Sequence, residues 1–162
     1  MTNITSTRTI PFSKEKIWEI IDDFENIHVW NPGVKSSYST STGKPTGKGA
    51  QRHCDLAPFG SFEERITIYE PHKKMGIDIY EGAKLPPIKN MKAQLDLEEL
   101  GKNSTKVSFS FSYDTKGLMG KIMNPIMVKP KMIDGTENFL KGLEHYIKTG
   151  KKITKSELKK VI

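Results

Sequence analysis

At 162 residues the chain suits one domain of ordinary size, and 35% hydrophobic residues supply enough apolar surface for a core, which excludes a disordered chain. The net charge of +7 admits an anionic partner, but much of the surplus gathers after Gly150, at Lys151, Lys152, Lys155, Lys159 and Lys160, with few aromatics between them, so no nucleic-acid partner is expected. One cysteine, Cys54, excludes an intrachain disulfide and a Cys-based metal site, and His28, His53, His72 and His145 form no ligand pair, so neither metal nor cofactor is expected.

In chain order, residues 3–10 are rich in β-branched side chains and read as a strand that Pro11 ends. Ser13 is placed to cap a helix over Lys14 to Phe24, where Ile17, Ile20, Ile21 and Phe24 recur at helical spacing beside Trp18. Asn26 to Trp30 reads as a second short helix, and Asn31-Pro32-Gly33 as the turn after it. From Val34 the period changes to two. Residues 34–42 form a polar strand suited to a sheet edge, Gly43 to Gly49 a loop, and residues 50–56 the next strand. After the turn that begins at Ala57, residues 61–70 alternate, with Phe62, Glu64, Ile66 and Ile68 on one face.

Two further strands are marked by Met75, Ile77 and Ile79 and by Met91, Ala93, Leu95 and Leu97. A loop from Gly82 to Lys89 separates them. Gly101-Lys102-Asn103 reads as a hairpin turn before the last strand, marked by Val107, Phe109, Phe111 and Tyr113. Residues 118–149 are mostly helix, disturbed early by Pro125 and Pro130. Ile133, Leu140, Leu143 and Ile147 make its apolar face, with Phe139 and Tyr146 flanking it. Gly150 stops the helix, and residues 151–162 remain as a basic tail, frayed or disordered. The order β-α-α-β-β-β-β-β-β-α, with hairpin-length links, predicts an α+β fold. A curved antiparallel sheet is covered on its concave face by one long helix.

Several short motifs fall in a familiar order. Ile10-Pro11 precedes Lys16-Ile17-Trp18, and Asp22 leads to Trp30-Asn31-Pro32-Gly33-Val34. Gly49-Ala50-Gln51-Arg52 opens a strand, Glu64-Arg65-Ile66 leads to Tyr69-Glu70-Pro71, and a hairpin ending at Lys106 precedes the last strand. Over residues 3–149 the chain resembles the START-like, SRPBCC superfamily, the helix-grip fold of the major birch pollen allergen. Within it, the chain is most similar to the polyketide cyclase/dehydrase and lipid transport family. The resemblance implies a START-like domain over residues 1–150 and a deep apolar pocket between sheet and helix. Members bind lipids, sterols, plant hormones, polyketides or quinones, and only some are catalysts, so the fold does not select the function.

The alternation turns Ile66, Ile77, Ile79, Met91, Ala93, Leu95, Phe109 and Phe111 inward, and small Ala93 leaves space among large neighbours. The helix adds Met119, Met123, Met127 and Met132, whose flexible thioethers suit varied apolar ligands. The same side chains suit a filled core equally well. Arg52 and Glu64 break the apolar pattern. With residues 57–61 as the turn, Cys54 stands opposite Glu64 and Arg52 lies diagonal to it. The two either pair as buried ions or orient a polar ligand group. In plant hormone receptors of similar look, the glutamate at the matching Glu-Arg position contributes to the polar ligand network. Trp30 either caps the second helix or backs the ligand. His28 and His53 are expected at solvent.

The expected function is binding or transport of a hydrophobic small molecule, a lipid, quinone or polyketide-like ring, by a monomer or homodimer. The alternative is a polyketide cyclase/dehydratase-like enzyme using Glu64 as its acid/base, though no His–carboxylate or Cys–His pair supports it. A weaker expectation is contact with an anionic membrane through Lys151 to Lys160. The first ten residues lack the apolar run of a signal peptide, and no segment nears the ~20 apolar residues of a membrane span, so a cytoplasmic protein is expected.

Overall fold

In the computed structural model, which describes residues 1–160, the elements follow the expected order. Strand β1 (Thr2–Ile10) leads to helix α1 (Lys14–Asp22) and a 3₁₀ helix (Phe24–Val29). Six strands then run as a meander: β2 (Val34–Ser39), β3 (Gln51–Leu56), β4 (Ser61–Glu70), β5 (Lys74–Ala83), β6 (Ile88–Gly101) and β7 (Ser104–Thr115). They form one antiparallel sheet in the order β1-β7-β6-β5-β4-β3-β2. The first two strands in sequence are therefore its two edges, and α1 with the 3₁₀ helix must carry the chain from one edge to the other. Bulges at Glu63/Glu64, Ile66/Ile68 and Lys89/Lys92 bend the strands that curl round the helix.

Ser13 caps α1 by accepting from the Lys16 amide, and Ile17, Trp18 and Ile21 form the buried face. The C-terminal helix comes in three parts: α2 (Gly117–Met123), a π-helical turn (Asn124–Val128) and α3 (Lys129–Thr149). Pro125 lies in the π turn and Pro130 in the first turn of α3, where a missing N–H disrupts least. The apolar face expected from Ile133 starts later, because Ile133 is exposed while Thr136, Phe139, Leu140 and Leu143 are buried. Gly142 permits a close approach: a Cβ there would stand 2.9 Å from the Trp30 carbonyl and 2.7 Å from Pro32 Cδ. Gly150 ends α3 in the left-handed conformation with φ 68°.

Residues after Gly150 depart from the expected frayed tail. Ile153 is buried, and Lys152 Nζ donates to the carbonyls of His28 at 2.8 Å and Val34 at 2.6 Å. Thr154 and Glu157 form a reciprocal capping box that starts α4 (Lys155–Leu158). Among the described residues, no helix is long and apolar enough to cross a membrane.

Candidate functional site

The register of β3 on β4 sets the polar centre. Their turn is two residues shorter than expected: the Leu56 amide donates to Gly60 O, and Ser61 already pairs with Asp55. Arg52 therefore stands directly opposite Glu64, and Cys54 faces Phe62 instead. Arg52 Nε donates to Glu64 Oε2 at 2.5 Å and Nη1 to the Phe24 carbonyl at 2.5 Å, with the guanidinium 3.8 Å from the Phe24 ring centroid. Both side chains are buried, with exposures of 4% and 6%. Among the described residues, neither Glu64 Oε1 nor Arg52 Nη2 has a hydrogen-bond partner, and neither atom is sealed from open space. Cys54 Sγ sits 3.6 Å from Glu64 Oε2, and burial pushes its thiol well above the usual range, so it is a poor nucleophile.

Arg52 and Glu64 face a pocket of about 650 Å³ between the sheet, the 3₁₀ helix and the long C-terminal helix. Cross-strand rows build its sheet wall. One row runs Ile77–Ala93–Phe111, a second Met75–Leu95–Phe109, and a third Glu64–Ile79–Met91. In the first row Ala93 contributes only a methyl between an isoleucine and a phenylalanine. Met123, Met127, Met132 and Phe139 form the helical wall. Phe139 stacks on Phe109 at 4.0 Å between ring centroids, and Trp30 meets Phe139 edge-on at 4.8 Å. Trp30 thus closes one side of the pocket, and its buried Nε1 has no acceptor.

Eleven of the twelve expected site residues line this space: Trp30, Arg52, Glu64, Ile77, Ile79, Met91, Ala93, Leu95, Phe109, Phe111 and Met127. Ile66 does not. It pairs with Ile77 as expected but is 1% exposed within the core around α1, so packed side chains separate it from the open volume. Ile68 leaves the inward face altogether. The bulge between Ile66 and Ile68 adds a residue on β4, and Ile68 turns outward to cover Gly76. Met119 also lies outside the pocket, on the exposed side of α2.

The histidines are less free than expected. His28 Nδ1 lies 2.8 Å from Ser37 Oγ. His53 bridges Glu63 at 2.5 Å and Asp55 at 3.2 Å and stacks on Tyr38. Its hydrogen bond to Glu63, opposed by partial burial, raises its pKa. Among the described residues no group of three His, Cys, Asp or Glu is placed to hold a metal ion. Sequence reasoning passed over Phe62, Phe139 and the loop residues Leu85 to Ile88, all of which line the pocket. Phe62 had a signal, since it shares the face of Glu64 two residues on. The loop had none, because it follows neither period.

A seven-stranded antiparallel sheet gripping a long C-terminal helix is the helix-grip fold of START-like proteins. The sequence profile of the family described as polyketide cyclase/dehydrase and lipid transport matches residues 1–145, and the chain belongs to that family. A protein from Thermus thermophilus is similar with TM-score 0.76 at 16% identity, over 92% of this chain and 99% of that one. A START superfamily protein from Mycobacterium smegmatis gives TM-score 0.71 at 18% identity, over 90% and 97%. Norcoclaurine synthase from Thalictrum flavum, in truncated form, gives 0.69 at 15%, over 90% and 92%. At such identities the likeness is one of fold. No curated protein matches the sequence significantly.

Proposed function

We propose that this protein binds an apolar small molecule in the pocket, with a hydrogen-bonding group of the ligand set against Glu64 Oε1 and Arg52 Nη2. One observation carries the reading: about 650 Å³ of space has apolar walls, and one buried ion pair presents unpaired polar atoms to it. That volume falls in the range of small-molecule sites, which pair mostly apolar linings with a few placed polar groups. A lipid, quinone or polyketide-like ring carrying a carbonyl or hydroxyl has the matching chemistry. Ile77, Ile79, Met91, Ala93, Leu95, Phe109, Phe111, Met127 and Trp30 supply the apolar contact.

Native mass spectrometry of freshly purified protein tests this, followed by titration with an apolar fluorescent dye. The expected result is a co-purified small molecule or one dye per chain, displaced by quinone or fatty-acid competitors. A protein that carries nothing and takes up no dye refutes the reading. The acid/base alternative has less support: Glu64 Oε2 is taken by Arg52, and among the described residues no histidine lines the pocket. Glu64→Gln separates the two readings. A carrier keeps its dye affinity within a fewfold, whereas an enzyme keeps binding and loses turnover of a polyketide-like substrate.

A further inference from the structure

Three segments converge at the end of the sheet where the pocket opens. They are the β3–β4 turn (57–60), the β5–β6 loop with the start of β6 (84–91), and the helical stretch 116–133. Gly60 lies against the carbonyls of Ala83 and Lys84, which joins the turn to the loop. The Lys116 amide donates to Pro87 O at 2.8 Å, which joins the loop to α2. Phe59, Leu85, Met123 and Met127, drawn from all three, line the pocket.

This end is both apolar and basic on its outer surface. Leu118, Ile122 and Ile126 are 75%, 56% and 78% exposed, with Met119 and Phe59 exposed as well. Leu118 and Ile122 share a helix face, and Ile126 continues it one turn on, so these side chains form a contiguous patch. Scattered apolar side chains at a surface need no explanation, but a contiguous patch marks an interaction site. The three segments also carry six lysines, Lys84, Lys89, Lys116, Lys121, Lys129 and Lys131, and no Asp or Glu. Among the described residues none of the six forms an ion pair, whereas Lys14, Lys74, Lys106 and Lys148 elsewhere do.

We propose that this end of the molecule docks on an anionic lipid bilayer, with Leu118, Ile122 and Ile126 seated among the acyl chains and the lysines on the phosphates. A helical face that is apolar at its centre and flanked by lysine is the pattern of an interfacial helix. Lysine is the only charged residue type within these segments, although Asp114 stands across from Lys89 at their border, and this excess gives the charge complementarity to an anionic surface. Docking here turns the pocket mouth toward the source of apolar ligands. That consequence rests on the ligand-binding reading above, but the docking itself does not. The site differs from the one expected from sequence, since Lys152 of the C-terminal segment is turned inward to the His28 and Val34 carbonyls.

Flotation with phosphatidylcholine vesicles, and with an equal mixture of phosphatidylcholine and phosphatidylglycerol, tests the proposal. The wild-type chain is expected to float with the mixed vesicles only, and less so as salt rises. Each lysine at such a surface contributes about fivefold in affinity, so Lys121→Glu/Lys129→Glu lowers binding at least ~25-fold. Leu118→Glu/Ile126→Glu abolishes it. Both pairs are exposed, so circular dichroism melts and dye uptake by the pocket stay unchanged, which separates loss of docking from loss of fold or of ligand binding. Lys102→Glu, in the β6–β7 turn at the opposite end of the sheet, leaves flotation intact. The proposal is overturned by equal binding to both vesicle types, by no binding to either, or by an equal effect of Lys102→Glu. A concentration-dependent dimer in light scattering that Leu118→Glu dissolves overturns it too, since a second copy then covers the face.

Discussion

Removing one member of the Arg52–Glu64 pair is the sharpest perturbation available. Both side chains are nearly inaccessible, and each has a single close ionic partner. Glu64→Leu leaves a guanidinium buried with only the Phe24 carbonyl and ring to meet it. Arg52→Met leaves a carboxylate facing apolar walls. Breaking a buried pair in this way costs roughly 3–5 kcal/mol. The lower end applies here, because Glu64 Oε1 and Arg52 Nη2 border open space that water can enter, so each single variant should lose about 3 kcal/mol. For a chain of this size that is a fall in Tm of roughly 6–12 °C. The double variant Arg52→Met/Glu64→Leu buries no charge and should lose only about 1 kcal/mol, from the Phe24 carbonyl left without its donor. Urea unfolding of the four proteins reads this directly. If the double variant loses as much as the two singles together, the residues are not energetically a pair. If each single loses under about 1 kcal/mol, the site is solvated like a surface ion pair and the pocket is wet rather than apolar.

Ala93→Leu puts extra methylenes into space that already exists, so stability should stay within about 1 kcal/mol of wild type while dye affinity falls at least tenfold; the 1–3 kcal/mol loss of an overpacked core would show that the space is filled. His53 binds its proton more tightly in the fold than in the unfolded chain, because Glu63 accepts from it, although burial opposes this. Its contribution to stability is therefore complete below its ordinary value of 6.5 and disappears as pH rises through the raised pKa. The unfolding free energy of wild type minus that of His53→Gln should fall across this window, and a difference that is flat with pH refutes the assignment. Ile153→Ala should cost about 2–4 kcal/mol in chemical denaturation, because the side chain is buried, whereas a frayed tail would register no change.

The sheet was legible because its strands alternate cleanly. In β5, β6 and β7 the inward series Met75–Ile79, Met91–Leu95 and Phe109–Phe111 emerge from period two alone, and the structure places all of them on the pocket wall. Register was not legible, since it depends on turn length. Two residues of difference at the β3–β4 turn decided whether Arg52 or Cys54 faces Glu64. Bulges defeat periodicity in the same way: Ile68 follows the pattern on paper and leaves it in space. Helical residues were harder again, because a face of α2 or α3 can turn to sheet, pocket or solvent. Met119 and Met123 have the same residue type four apart, yet only Met123 reaches the pocket. The C-terminal segment was misjudged for a different reason. Its lysines suggest a solvated tail, but Thr154-x-x-Glu157 is a capping-box spacing that was readable, and Ile153 beside it is the anchor.

The pocket is partly open to solvent, so what fills it depends on how well water suits its walls. Water is a poor occupant, because the walls are isoleucine, methionine and phenylalanine, and a buried water needs two to four polar partners. Arg52 and Glu64 supply such partners, as do Asn31, Lys84, Lys131 and Thr136 in other parts of the lining, but the row Ile77–Ala93–Phe111 offers none. Collapse is resisted on the sheet side by seven hydrogen-bonded strands. The apolar molecule with one polar group proposed above matches these walls better than water does, and the small side chain of Ala93 is where the sheet would make room for it.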